Sequence, residues 1–272
     1  MRGVWLCFAS LALASACSHS TPVPRAEPRK LVETPPVLAE PESPADLALG
    51  APPEAPAEEA APPPEAPVDP IKIKVKLDRP VLVVPGDTPT PIIYLHGRCG
   101  DPTAFTAWAS TGKKYGTIIS FTGDQKCKHG TRTQWSVDDA GLDRRITRAI
   151  EAVKAELGIE IDASRRIVIG YSQGSLRAEA LATRFPDRYP RAVLIGGPRA
   201  PRETSLSKSE AVLIMVGDHD AREHLRDATE KLEKRGKRVR YLELKDARHG
   251  EYGSEAGSTM KQGFEWLLAT PS

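Results

Sequence analysis

The chain has 272 residues, 27% of them charged and 6% aromatic, with a net charge of +2 at pH 7. That length is room for one large domain or two small ones. Nothing in it resembles a nucleic-acid motif, so no nucleic-acid partner is expected, and four cysteines without a Cys-x-x-Cys unit weigh against zinc.

Residues 1–16 carry one early charge, Arg2, and then run apolar from Val4 to Ala16, which is short for a membrane span and suits a secretory signal. The end of that run, Ala14-Ser15-Ala16-Cys17, reads two ways. Ala-x-Ala is an ordinary signal-peptidase site, whereas a Cys directly after small residues resembles the lipobox of bacterial lipoproteins, with Ala14 where Leu is usual. The expectation is an exported protein of the cell envelope, lipid-anchored to a bacterial membrane through Cys17. Residues 18–70 hold 15 of the 25 prolines and a net charge of −7. Such a stretch cannot bury enough apolar area to offset chain entropy, so residues 17–70 read as a disordered linker. Removing Arg2 and this −7 from the total of +2 leaves +8 for residues 71–272, a basic surface with a modest preference for anionic surfaces or substrates.

From residue 71 onward strands and helices alternate. Ile71, Ile73, Val75 and Leu77 alternate with Lys72, Lys74 and Lys76, which predicts a half-exposed edge strand over 71–77. Val81–Val84 is a second strand, and Pro91–His96 is a continuous apolar run of the kind buried on both faces. A helix is predicted over 103–113, a strand over 117–121, and a long helix over 139–157 with Leu142, Ile146, Ile150, Val153 and Leu157 on one face. Strands follow over 167–170, 191–195, 211–216 and 238–244, with helices over 176–184, 220–235 and 258–268. The expectation is an α/β domain over 71–272: a mostly parallel, doubly wound sheet of about eight strands with helices on both faces.

The strand Ile167–Ile169 ends in Gly170-Tyr171-Ser172-Gln173-Gly174 and runs at once into a helix. A strand that turns so abruptly into a helix needs small flanking residues, and Ser172 is then pushed out, exposed and strained, at the helix head. A serine hydroxyl is a poor nucleophile until a base takes its proton, and that base needs an orienting carboxylate. Both candidates come later in the chain. The strand Val212–Val216 runs into Asp218-His219-Asp220, and the strand ending at Leu244 precedes Lys245-Asp246-Ala247-Arg248-His249-Gly250.

With these pieces in place, residues 71–272 resemble the α/β-hydrolase superfamily, in a compact form similar to small carboxylesterases, acyl-thioesterases and dienelactone-hydrolase-like proteins. The matching motifs are His96-Gly97, Gly170-Tyr171-Ser172-Gln173-Gly174, Gly217-x-x-Asp220 and Arg248-His249-Gly250. The resemblance implies Ser172 as nucleophile, Asp220 as orienting acid and His249 as general base. It also implies an oxyanion hole from the backbone N–H groups of Gln173 and Arg98. Asp218 competes for the role of acid. Whichever aspartate is not the acid would cap a loop.

His96 is read as a hydrogen-bonding brace for the oxyanion loop. Cys99 and Cys127 follow strands in an exported domain and are candidates for a disulfide. Trp135, in the loop 123–137, reads equally as a packing anchor or a substrate wall. His219 and His224 are five residues apart and do not align on one helix face, so no metal and no cofactor are expected. Only about a dozen residues, starting at Gly197, separate the sixth and seventh strands, which leaves no room for a cap domain. The predicted activity is serine hydrolysis of small esters, thioesters or acylated substrates. An amidase or peptidase on the same fold, or a catalytically silent tethered binding protein, are the alternatives.

Overall fold

The computed structural model describes residues 68–270; the signal read over 1–16, Cys17 and all but the last residues of the linker lie outside them. In chain order the elements are β1 (Ile71–Ile73), β2 (Val81–Val84), β3 (Pro91–Leu95), a 3-10 helix (Ala104–Trp108), α1 (Ala109–Gly112), β4 (Thr117–Phe121), β5 (Gln125–Lys126) and β6 (Thr133–Gln134). They continue with α2 (Asp139–Leu157), β7 (Ile167–Tyr171), α3 (Gln173–Arg184), β8 (Arg191–Ile195), β9 (Ala211–Gly217), α4 (Glu223–Lys234), β10 (Val239–Leu244) and α5 (Ala256–Leu268).

Eight strands form one sheet in the order β1-β2-β4-β3-β7-β8-β9-β10. The pairs β1–β2 and β2–β4 are antiparallel and the others parallel. β5 and β6 pair separately as a short antiparallel hairpin. No helix among the described residues is long and apolar enough to cross a membrane, and no cap domain stands over the sheet among them.

The continuous apolar runs are explained by burial on both faces. Ile93, Leu95, Val168, Val212, Ile214 and Val216 pack on one side with α2, α3 and α4, through Leu142, Ile146, Ile150, Leu181, Leu225 and Leu232. Their alternate neighbours Ile92, Tyr94, Ile167, Ile169, Leu213 and Met215 pack on the other with Trp108, Met260, Phe264 and Leu267. A period of two therefore operates inside runs that look uniform in sequence. Strand order reverses at β3, with β4 on one side and β7 on the other. Open α/β sheets form their ligand crevice beyond the carboxyl ends of strands at such a reversal. Residues 96–101 and Ser172 emerge there.

Three local expectations change. The edge strand closes at Ile73 rather than at residue 77, because the chain turns through an Asp78 N–H bond to the Val75 carbonyl. Leu77 sits in that turn at φ 59°, 91% exposed, while Asp78 reaches Arg145 of α2 at 2.7 Å. The helix read over 103–113 is split into the 3-10 helix and a single α-turn. The helix read from residue 220 begins only at Glu223, which leaves Asp220 in a loop.

Candidate active site

The turn from β7 into α3 is forced by its two glycines. A Cβ on Gly170 would lie 2.1 Å from the Gly174 carbonyl oxygen, and one on Gly174 would lie 2.0 Å from the carbonyl oxygen of Leu95 at the end of β3. Both contacts are with backbone, so no side-chain rearrangement could relieve them. Ser172, between the glycines, has φ 50° and ψ −112°, a conformation that costs a non-glycine residue about 1–3 kcal/mol and persists only where the surroundings impose it. The imposing contacts are backbone bonds: Ser172 N–H donates to Ile195 O at 2.8 Å, and Ser175 N–H to Ser172 O at 3.0 Å. Because α3 starts at Gln173, the N–H of that residue has no intrahelical acceptor.

Ser172, His249 and Asp220 form one hydrogen-bonded chain. Ser172 Oγ is 3.0 Å from His249 Nε2, and His249 Nδ1 is 2.7 Å from Asp220 Oδ2. With a carboxylate at Nδ1, that nitrogen carries the proton and Nε2 is left as the acceptor facing the serine. Asp220 is held in turn by the Ala221 N–H, which donates to Oδ1 at 2.7 Å. Asp218 is used differently. Its two oxygens accept the N–H groups of Asp246 and Ala247, each at 3.1 Å, and so pin the loop that carries His249. Those two backbone donors hold the Asp218 carboxyl below the usual carboxylate range.

Tyr171 had no assigned role from sequence and braces the same loop. Its hydroxyl accepts from Gly250 N–H at 2.7 Å and donates to Glu251 O at 3.3 Å, while its ring stands edge-on to His249. The residue was visible as the variable position before the serine. Its partners, 79 and 80 residues away, were not.

The opposite wall is assembled around His96, which is fully buried. Its Nδ1–H donates to Gly97 O at 2.7 Å, and Nε2 accepts from Gly123 N–H at 3.0 Å and lies 3.2 Å from Thr133 Oγ1. Burial pushes the imidazole pKa down, which keeps the ring neutral and able to accept at Nε2. Trp135 corrects the substrate-wall reading. It is buried, its Nε1–H donates to His96 O at 2.7 Å, and its backbone exchanges two bonds of 3.1 Å with the Gln173 side chain. Trp135 anchors the loop 123–137 against both the His96 turn and the elbow. A disulfide joins Cys99 to Cys127, and an isolated bridge pairs Gly100 with Thr133. The hairpin β5–β6 that makes these contacts was missed in sequence because two-residue strands have no readable period.

The two walls enclose a cleft of about 360 Å³. Ser172 and His249 line it with Gly97, Arg98, Asp101 and Arg132, and Tyr94 and Tyr252, joined by a 3.1 Å hydroxyl bond, lie at its base. Gln173, Cys127 and Trp135 are not among the residues that line it. His224 bonds Gly197 O at 2.9 Å and takes no part. Asp218, His219 and Asp246 bring three potential ligand atoms within 4.8 Å of one another, but the Asp218 oxygens are already engaged by backbone N–H groups.

By sequence the chain matches no protein-family profile and no curated protein. Solved structures do match it in three dimensions. A fluorophosphonate-binding serine hydrolase of Staphylococcus aureus superposes with a TM-score of 0.53 at 13% identity, over 74% of this chain and 98% of that one. The enol-lactonase of Burkholderia xenovorans gives 0.51 at 15% identity, over 73% and 100%. A predicted hydrolase of Thermoplasma acidophilum gives 0.53 at 13% identity, over 73% and 97%. The fold is that of the α/β hydrolases. At these identities the likeness concerns the path of the chain, and chemistry has to be argued from this molecule's own residues.

Proposed function

We propose that the domain is a serine hydrolase that cleaves carboxylic esters or thioesters through an acyl-enzyme. The observation that carries this reading is the Ser172–His249–Asp220 hydrogen-bonded chain, set on a strained elbow and opening into a cleft. Ser172 Oγ attacks the substrate carbonyl carbon as its proton passes to His249 Nε2. The resulting oxyanion faces the N–H groups of Gln173 and Arg98, where it is worth more than in water because the donors are already oriented. The carbon–oxygen or carbon–sulfur bond then breaks, and the imidazolium returns its proton to the departing alcohol or thiol. Water enters, loses a proton to His249 and attacks the acyl carbon, and the carboxylic acid leaves with Ser172 restored. Asp220 keeps Nδ1 protonated and stabilises the imidazolium in both halves.

A cleft without a cap suits accessible esters or acyl groups on larger carriers. The names of the structural neighbours, a fluorophosphonate-binding serine hydrolase and an enol-lactonase, are consistent with such chemistry. The decisive experiment is labelling of the purified protein by a fluorophosphonate with the modified peptide mapped, alongside turnover of 4-nitrophenyl acetate. Label on Ser172 and loss of turnover in Ser172→Ala are expected; persistent turnover in that variant would sink the mechanism. A matched anilide tests whether amides are cleaved as well. For the leader, export and anchoring through Cys17 are part of the same proposal. Cys17→Ser is expected to release the protein from membranes, and unchanged fractionation refutes the anchor.

A further inference from the structure

Two arginines stand on the cleft with no carboxylate in contact among the described residues. Other arginines of this domain are paired, as Arg145 is with Asp78, Arg166 with Asp143 and Arg199 with Glu179. Among the described residues, no carboxylate lies within 4.0 Å of Arg98 or Arg132, and both are exposed at the cleft. They arrive from different segments. Arg98 follows the His96-Gly97 turn, and Arg132 precedes β6 on the hairpin that the Cys99–Cys127 disulfide ties to the same turn. One guanidinium N–H of Arg132 reaches Cys99 O at 3.4 Å, a long contact that leaves its other donors available.

Asp101 is the one acid lining the cleft among the described residues, and it is turned to other work. Its Oδ1 accepts both the N–H and the hydroxyl of Thr103, at 2.8 and 2.7 Å, so it closes the turn into the 3-10 helix. Burial raises its pKa, but the Thr103 bonds and the charge of Arg132 outweigh that and hold it ionised. The lining therefore combines two guanidinium groups with no carboxylate in contact among the described residues, one carboxylate engaged by Thr103, and a neutral aromatic base at Tyr94 and Tyr252. Guanidinium forks bind carboxylate and phosphate oxygens with directional, charge-assisted bonds, and a cleft with low-dielectric walls concentrates their field.

We infer that the cleft selects esters carrying an anionic group, a carboxylate or a phosphate, which Arg98 and Arg132 hold beside the scissile bond. The inference rests on the serine-hydrolase reading of the same site, and it adds a substrate class. Its test compares 4-acetoxybenzoate and 4-acetoxyphenyl phosphate with the neutral methyl 4-acetoxybenzoate, each kcat/KM divided by that ester's hydroxide-catalysed rate. The anionic esters are expected to be favoured about tenfold, the size of about one charge-assisted bond, and the larger of the two advantages identifies the preferred anion. The advantage should shrink as salt is raised, since exposed charges are screened.

In Arg98→Gln/Arg132→Gln the anionic-to-neutral ratio should fall close to one; the substitution at 98 retains the backbone N–H. A ratio near one in the unaltered protein, or a ratio that survives both substitutions, overturns the inference while turnover of the neutral ester still supports the hydrolase. Should no ester be turned over, the hydrolase reading fails, and binding to Ser172→Ala decides the anion site by itself. There benzoate or phenyl phosphate should bind and benzamide should not, and equal binding of benzoate and benzamide refutes the site.

Discussion

The two walls of the cleft are built on opposite principles. On the nucleophile side, Ser172 is held by the backbone of the sheet itself: its N–H bonds Ile195 O of β8, Gly174 packs against Leu95 O at the end of β3, Gly170 packs against Gly174 O, and β7 is buried along its whole length. On the oxyanion side, residues 96–101 are held from outside by the loop 123–137, through Thr133, Trp135, the Gly123 N–H and the Cys99–Cys127 bond. The first wall is a steric solution set by close packing of β7 and α3 against the adjacent strands β3 and β8. The second is a set of cross-links between segments about 30 residues apart that meet at one turn. Damage to the first should therefore cost the fold outright, and damage to the second should cost only part of the stability and part of catalysis.

Gly174→Ala tests the first half of that contrast most severely. Its Cβ would meet both the Leu95 and His96 carbonyl groups, so a loss of more than about 4 kcal/mol, or no soluble folded protein, is expected in chemical denaturation. A variant that melts like the parent would show the elbow to be softer than its contacts imply. Next in size, Asp220→Asn should lower kcat by about 10³–10⁴-fold with little change in Tm, because it upsets the tautomer of His249 and not the packing. Equal losses of rate and stability would place Asp220 with the structural residues.

The external wall is probed by Cys99→Ala/Cys127→Ala. Opening a bridge across 28 residues should remove about 3 kcal/mol of stability and lower kcat about tenfold, a fraction of what loss of an oxyanion donor costs. Stability lost with kcat intact would mean that Thr133, Trp135 and Gly123 suffice to hold the turn.

The smallest effect is expected from Asp218→Asn. The carboxyl of Asp218 titrates lower in the fold than its ordinary value of 3.8. It thus contributes stability that is present above that value and lost as pH falls through the depressed one. The variant should melt slightly earlier at neutral pH, and its stability should fall less than the parent's on acidification below about pH 4. Parallel pH profiles would show that the Asp246 and Ala247 N–H bonds do not depend on the charge.

The two aspartates also mark where sequence reading stops. The spacing Gly217-x-x-Asp220 ranks them, but their roles depend on the loop after β10, which reaches Asp218 with two N–H groups and Asp220 with an imidazole. The oxyanion side was legible only in part. His96 as a brace and Cys99 with Cys127 as a pair could be read from their positions after strands. Thr133, Gly123 and the anchoring of Trp135 could not, because they act through contacts between segments with no periodic pattern. Tyr171 was hidden in the same way, since a Tyr inside a buried strand reads as core until its hydroxyl is seen to meet Gly250.

Sequence alone determined the alternation of buried strands and helices, the eight-stranded sheet and the glycine-flanked turn at Ser172. Each of these follows from local sterics and from the burial of apolar runs, which neighbouring residues dictate. Only the tertiary structure decided which aspartate meets His249, what Trp135 touches, and that Arg98 and Arg132 share one cleft whose single acid among the described residues, Asp101, is bonded to Thr103. Of the two arginines, Arg132 still feels the charge of Asp101 in that lining, though no carboxylate is in contact with either among the described residues. Those outcomes depend on where the loops after β3, β4, β9 and β10 converge beyond the sheet. Convergence of that kind is a property of strand order in space, to which the order of residues in the chain gives no direct access.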